Sequence, residues 1–324
     1  MNHARRSVSL LALLAACASS GESTPRARPS HALPPRPELF AAGRVSTPWQ
    51  ERDAAISPDG SIWMHTVLGE RGGTIVMRSL MGEALGPLAL APFSGVHDDL
   101  EPCFDPRGDR VWFASRRPRP GIDGPASWNL WWVERVLDGG WSEPTCFAAV
   151  DEGKDEFYPS LTQDGVLYFT AVRDGSSGGE DIFRVRTDRV GPAVPEGLGP
   201  AINSDGPEYN AFVAADESFL VYSAEREGDL GRGDLRVSFR LADGSWTNSV
   251  NLGPDVNSAA LDYCPFVSPD GSALYFSSNR PVPTHALPEC PDATPQLLAR
   301  GPAAGRGDVY RVSMDVVMRH RPVR

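Results

Sequence analysis

One hairpin is written into this chain five times. Its fullest copy runs Asp262-Tyr263-Cys264-Pro265-Phe266-Val267-Ser268-Pro269-Asp270-Gly271-Ser272-Ala273-Leu274-Tyr275-Phe276-Ser277-Ser278-Asn279-Arg280. Pro265 to Ser268 reads as a short strand and Leu274 to Ser277 as its return. Between them, Pro269-Asp270-Gly271 supplies a preset φ and a residue free to take φ > 0. The turn position recurs at Gly60, Gly108, Gly165, Glu217 and Gly271, at spacings of 48, 57, 52 and 54 residues. A period near fifty residues indicates a propeller blade or a similar array.

Each turn leads into a strand that is apolar on both faces: Ile62-Trp63-Met64, Val111-Trp112-Phe113-Ala114, Leu167-Tyr168-Phe169-Thr170, Phe219-Leu220-Val221-Tyr222 and Leu274-Tyr275-Phe276-Ser277. Such a strand needs cover on both sides, which the second strand of a blade receives from its two neighbouring blades. Third strands start near Thr74, Asn129, Asp181, Asp234 and Asp308, and Trp141 and Trp246 mark a fourth. The connections 198–204 and 252–258 match almost letter for letter. With 32 Gly and 30 Pro breaking every helical period, no helix is expected after the leader. The expected fold is all-β, a single β-propeller of five four-stranded blades, with six blades as the alternative count. The last unit ends at Met314 without a fourth strand, while residues 38–47 form a spare one. An N-terminal strand should therefore close the last blade and remove two sheet edges.

The first sixteen residues have an Arg5-Arg6 n-region, an apolar run from Val8 to Leu14, and small residues before Cys17. This is a secretory signal, too short for a stable membrane span. Leu14-Ala15-Ala16-Cys17 resembles the lipobox of bacterial lipoproteins, which implies cleavage before Cys17 and its acylation; a plain signal peptide is the alternative. Ala18 after the cysteine favours the outer membrane. Residues 17–37, rich in Ser, Pro, Arg and Gly, read as a disordered tether, 38–318 as the propeller and 319–324 as a tail. A net charge of −11 with no basic stripe argues against nucleic acid and against docking on anionic lipid. The membrane is therefore expected to be touched only through lipid.

The repeats resemble the WD40-like units called PD40, found in the propeller domain of the periplasmic TolB family and in related bacterial lipoproteins. The matching residues are the acid-x-x-Pro opening (Glu156 to Pro159, Asp262 to Pro265), the Pro-Asp-Gly turn, the Ser278-Asn279-Arg280 ending and the Gly-x-Asp strand start. The likeness spans residues 50–315. Units one and four have decayed turns or openings. TolB has six blades and an additional α/β domain, whereas this chain shows five units and no room for that domain. The resemblance implies a non-catalytic protein-binding or envelope-assembly module, monomeric and facing the periplasm.

Nine residues before each turn position stands an acid: Glu51, Asp99, Glu156, Glu208 and Asp262. At the head of each innermost strand these acids are candidates for a channel-rim site holding a cation, a sugar or a catalytic pair, as in a five-bladed glycoside hydrolase or lyase. The structural alternative pairs each with a nearby Arg (Arg116, Arg173, Arg226 or Arg280) as a tie between blades. Repetition in every unit favours the structural role. The literal G-x-S-x-G at Gly175 to Gly179 and the Arg-Gly-Asp tripeptides at 232 and 306 sit where the repeat wants turn residues, and carry no function. The histidines lack ligand spacing, so neither a metal nor another cofactor is read. Export permits disulfides; Cys264 and Cys290 are expected to pair, and Cys103 and Cys146, two strands apart, to remain thiols. The loops at 116–128, 173–180 and 281–306, with Trp128, are the expected partner contacts.

Overall fold

The computed structural model describes residues 33–323 except 71, 120, 122–126, 138, 148–153, 189–193, 283–286 and 293–306. The expected leader and Cys17 lie outside the described residues.

Five antiparallel sheets form the five blades of a propeller. Blade 1 contains β2 (Gln50–Ile56), β3 (Ile62–Gly69) and β4 (Gly72–Met81), with the short strands β5 (Ala84–Leu85) and β6 (Ala89–Leu90) both on β4. Blade 2 is β7 (Asp99–Phe104), β8 (Arg110–Ser115), β9 (Asn129–Glu134) and β10 (Thr145–Cys146). Blade 3 is β11 (Glu156–Leu161), β12 (Val166–Ala171), β13 (Asp181–Arg186) and β14 (Glu196–Gly197). Blade 4 is β15 (Glu208–Val213), β16 (Phe219–Ala224), β17 (Asp234–Phe239) and β18 (Val250–Asn251). Blade 5 is β19 (Asp262–Val267), β20 (Ala273–Ser278) and β21 (Asp308–Ser313), completed by β1 (Glu38–Leu39) from the other end of the chain.

The closing strand is where the sequence placed it, with Glu38 opposite Arg311 and Leu39 opposite Tyr310. Docking starts earlier than the expected tether boundary, because Ser313 N–H donates to the Pro34 carbonyl at 2.9 Å. The outer strands are shorter than Trp141 and Trp246 suggested. These residues form single bridges to Arg135 and Arg240, and the ladders follow at Thr145–Cys146 and Val250–Asn251. One turn of helix, α1 (Asp315–Met318), follows β21 where no helix was expected, and buries Val316 and Val317 against blades 4 and 5.

Alternation on the second strands explains their continuous apolarity. In β8, Val111 and Phe113 pack toward blade 1 with Met64 and Ile75, while Trp112 packs toward blade 3 with Leu167 and Phe169. Tyr168 of β12 likewise turns to Leu220 and Tyr222 of blade 4. The fifth interface joins Phe40, Trp63 and Ile56 to Tyr275 and Val309, so blade 5 closes on blade 1. Burying a large apolar side chain contributes about 1.5–3 kcal/mol, and each interface buries several. The hairpin turns put Gly60, Gly108, Gly165 and Gly271 at φ between 69° and 85°; Glu217 takes the same place at 58°.

Candidate functional site

All five first-strand acids are fully buried, so they do not form an open ring. Each is held by local donors. Asp262 accepts from Ser258 N–H and Oγ, from Ser278 Oγ at 2.5 Å and from Arg280 at 2.7 Å. Glu208 accepts from Ser204 N–H and Oγ and from Arg226 at 3.0 Å. Asp99 accepts from Ser94 and Ser115 hydroxyls and from Arg117 at 2.7 Å. Its partner is Arg117, not the expected Arg116, whose guanidinium lies over Trp128. Glu51 has no arginine among the described residues; Thr47 N–H and Oγ1 bind it instead. Glu156 pairs with Arg173 at 3.2 Å, and its Oε2 has no hydrogen-bond partner among the described residues. Thr47, Ser204 and Ser258, four residues before their acids, supply hydroxyls in blades 1, 4 and 5, whereas the sequence has Glu at position 152. Burial, set against Arg173, pushes the Glu156 carboxyl up to about 8.

These ion pairs lie within blades, which corrects the expectation of direct ties between them. The tie is made one bond further on. Arg226 donates to the Ile202 carbonyl at 2.6 Å, Arg280 to Val256 at 2.8 Å and Arg117 to Phe93 at 3.0 Å, gripping the connection from the preceding blade.

Two residues beyond each acid, the first strand breaks register and one residue takes a left-handed conformation: Asp53, Glu101, Tyr158, Asn210 and Cys264, at φ 51–62°. Such a backbone costs about 1–2 kcal/mol per non-glycine residue. It is held by hydrogen bonds around the axis. The bulge N–H of Asp53 donates to Ser277 Oγ, that of Glu101 to Thr66 Oγ1 and that of Asn210 to Thr170 Oγ1, each on the preceding blade. In blade 2 the equivalent position is Ala114, and the Tyr158 N–H donates to Glu101 Oε2 at 2.7 Å instead. Arg52 binds Asp53 and Glu101, both at 2.7 Å, and reaches the Cys264 sulfur at 3.2 Å. Tyr158 Oη donates to the Pro265 carbonyl at 2.8 Å, joining blade 3 to blade 5. Burial pushes Glu101 up to about 7 against the pull of Arg52. Sequence reasoning missed this cluster because its five side chains share a backbone conformation and no residue type.

The expected Cys264–Cys290 disulfide is not formed, and Cys103, Cys146, Cys264 and Cys290 are all free thiols. Cys264 is drawn to the axis by its bulge. Cys290 instead lies beside Arg78 and Asp292, where Asp292 accepts from the buried Arg78 at 2.6 Å and from Leu88 N–H at 2.9 Å. This pins the described part of the blade 5 loop to blade 1.

A cleft of about 720 Å³ opens beside blades 4 and 5, at the end where first strands begin. Tyr209, Pro207, Leu261, Val282 and Leu287 give it apolar walls; Glu180, Glu225, Arg232, Asn279, Arg280 and Asp308 give it polar ones. Of the expected partner loops, 173–180 contributes Glu180 and 281–306 contributes Pro281, Val282 and Leu287. Trp128 does not line it; it packs on Phe157 with ring centroids 5.5 Å apart. The Oδ1 atoms of Asn279 and Asp308 are buried and have no hydrogen-bond partner among the described residues. Burial pushes Asp308 up to about 6.

No family model and no curated protein matches the sequence. Among solved structures, an α-L-arabinofuranosidase from Podospora anserina, in complex with cellotriose, superposes at TM-score 0.52 with 11% identity, over 87% of this chain and 98% of that one. An α-L-arabinofuranosidase from Lactobacillus brevis gives 0.50 and 12%, over 84% and 92%. A putative TolB from Agrobacterium tumefaciens gives 0.49 and 15%, over 90% and 100%. The arabinofuranosidase structures share the β-propeller fold with this chain, and at such identities the likeness is one of fold.

Proposed function

We propose that this chain is a non-catalytic binding propeller of the PD40 type, exported, anchored on the outer membrane through an acylated Cys17 and facing the periplasm, where its first-strand end engages an envelope protein. The supporting observation is how the carboxylates are used. The repeated acids are buried and held by local donors, the arginines they bind grip the connection from the preceding blade, and Asp53 and Glu101 share one guanidinium. The Glu101 N–H also donates to Asp53 Oδ2 at 3.2 Å. A glycosidase needs two carboxyl groups facing each other across a sugar, with one acid and one base free to exchange protons. Arg52 occupies that space between Asp53 and Glu101. The rim cleft, by contrast, sets apolar walls beside the polar and charged side chains of Glu180, Glu225, Arg232, Asn279, Arg280 and Asp308, a mixed surface suited to recognition.

The rival reading, a glycoside hydrolase, draws on the same Asp53 and Glu101 near the axis. Crosslinking of the lipidated protein in intact envelopes, followed by capture, tests the proposal. Reproducible recovery of one or a few envelope proteins is expected. Turnover of arabinan or xylan oligosaccharides by the purified chain, lost on Asp53→Asn or Glu101→Gln, would establish the rival.

A further inference from the structure

We infer that the axis cluster is a proton-operated lock: Asp53 and Glu101 share the single guanidinium of Arg52, so the closed ring retains one proton there, and releasing it loosens blade 3 from blade 2. This goes beyond the binding reading and is independent of what the cleft engages.

One joint at the axis is built differently from the others. Thr66, Thr170, Ser223 and Ser277 lie opposite the residue that follows the acid in blades 1, 3, 4 and 5, and blade 2 has Ala114 there. In place of that hydroxyl, the Glu101 carboxylate accepts the Tyr158 N–H at 2.7 Å. The contacts at Thr66, Thr170 and Ser277 use neutral hydroxyls. The joint between blades 2 and 3 therefore depends on a group that can change its charge.

Charge balance gives the lock its proton. Arg52 binds Asp53 through Nε and Glu101 through Nη2, and the two acids are 1% and 3% exposed. Two carboxylates against one guanidinium leave a negative charge away from water, and like charges sharing one site raise the pKa of one of them. The other groups facing Glu101 do not offset it. From β11 comes Tyr158, whose phenol burial keeps protonated and which donates to Pro265; from β19 comes Cys264, whose thiol burial also keeps protonated. From β3 and β15 come Thr66 and the amide of Asn210, and Glu180, ahead of β13, adds another acid. Burial pushes the Glu101 carboxyl up to about 7 against the pull of Arg52, so the proton sits on Glu101. The Asn210 amide lies 3.4 Å from Glu101 Oε1 and, turned over, presents its Oδ1 to that proton. Between the ordinary 4.5 and about 7 the folded chain holds a proton that the unfolded chain has released. Stability from this site therefore falls as pH rises through that window and levels off above it. The proton leaves to water, the ring is left one charge negative, and opening the joint becomes easier.

The test is infrared difference spectroscopy of the full chain, titrated from about pH 5 to about pH 9, which reads protonated carboxyl groups directly. Wild type should show a carboxyl losing its proton with a midpoint of about 7, which Glu101→Gln lacks and Glu156→Gln keeps. Asp53→Asn, which keeps an acceptor for Arg52 and for the Glu101 N–H, should lower that midpoint by about one pH unit or more, because the guanidinium then serves one carboxylate. Burial of Glu101 alone would leave it in place. Protection of the Tyr158 amide from hydrogen exchange, corrected for intrinsic pH dependence, should fall at least about tenfold across the same range in wild type and not in Glu101→Gln. Should Glu101→Gln fail to fold, the Asp53→Asn midpoint decides by itself. A titration unchanged by Glu101→Gln, equal midpoints in wild type and Asp53→Asn, or Tyr158 protection that does not vary with pH would overturn the inference.

Discussion

Asn203 holds both backbone polar groups of Ile182: its Oδ1 accepts the Ile182 N–H at 3.1 Å, and its Nδ2 donates to the Ile182 carbonyl at 3.0 Å. Asn257 does the same to Leu235, at 2.9 and 3.0 Å. This explains why 198–204 and 252–258 are nearly identical in sequence. Gly199 and Gly253 turn the chain at φ 75° and 74°. Asn clamps the connection onto the third strand behind it, and the following Ser binds the acid ahead. Asn203→Ala or Asn257→Ala leaves a buried N–H unpaired, at a cost of about 1–3 kcal/mol, while the carbonyl keeps its bond from Leu198 or Leu252 N–H. Chemical denaturation should show a lower midpoint with an unchanged slope; a midpoint equal to wild type would dismiss the clamp.

Glu156 sets a pH dependence. Its folded-state pKa of about 8 lies above the ordinary 4.5, so between these values the folded protein holds a proton that the unfolded chain has released. Its contribution therefore lowers stability as pH rises through that window, and levels off above it. Gln at 156 keeps an acceptor for Arg173 and removes the titration. Urea unfolding at about pH 5 and about pH 8.5 should show a smaller loss for Glu156→Gln than for wild type. Parallel losses would place the titration elsewhere.

Much of this architecture was legible because strand and turn chemistry is local. Five hairpins, the alternation of Val111, Trp112 and Phe113, and the closing strand at Glu38 all follow from neighbours along the chain. The pairing of Asp262 with Arg280 was also legible from the repeat. Arg117 was missed although it follows its acid by the same 18 residues as Arg226 and Arg280, in a Ser115-Arg116-Arg117 ending that matches Ser278-Asn279-Arg280; of these four pairs only Glu156 and Arg173 depart, at 17. The axis cluster was hidden, since Asp53, Glu101, Tyr158, Asn210 and Cys264 have in common only a left-handed backbone. The cleft was hidden too, because Glu180, Glu225 and Asp308 converge from three blades.

Closure makes the N-terminal strand part of the core. Phe40 and Val45 are buried against Trp63 and Tyr275, and Thr47 binds Glu51. Deleting 38–47 should lower the melting temperature and expose β21 as a bare edge that promotes association. Deleting 18–32 should do neither. Equal melting temperatures for the two truncations would contradict closure.

Lipid anchoring by Cys17 is tested by fractionation. Two or three acyl chains hold a protein stably on a membrane, whereas one is marginal. Cys17→Ser should move the protein from the membrane fraction to the soluble periplasm. An unchanged distribution would remove the anchor from the account.

The most direct test of the central claim is a thermal melt of the alanine variants at Glu51, Asp99, Glu156, Glu208 and Asp262, each read beside envelope capture and oligosaccharide turnover. Asp99→Ala should cost about 3–5 kcal/mol because it strands the buried Arg117. Glu156→Ala, which strands the equally buried Arg173, should cost about as much, and Glu51→Ala, Glu208→Ala and Asp262→Ala about 1.5–3 kcal/mol each. Partner capture by the folded variants should match wild type. A variant that melts like wild type yet abolishes capture, or abolishes a glycosidase turnover that wild type shows, would contradict the account, because that acid would then belong to a functional site and not to the clamp.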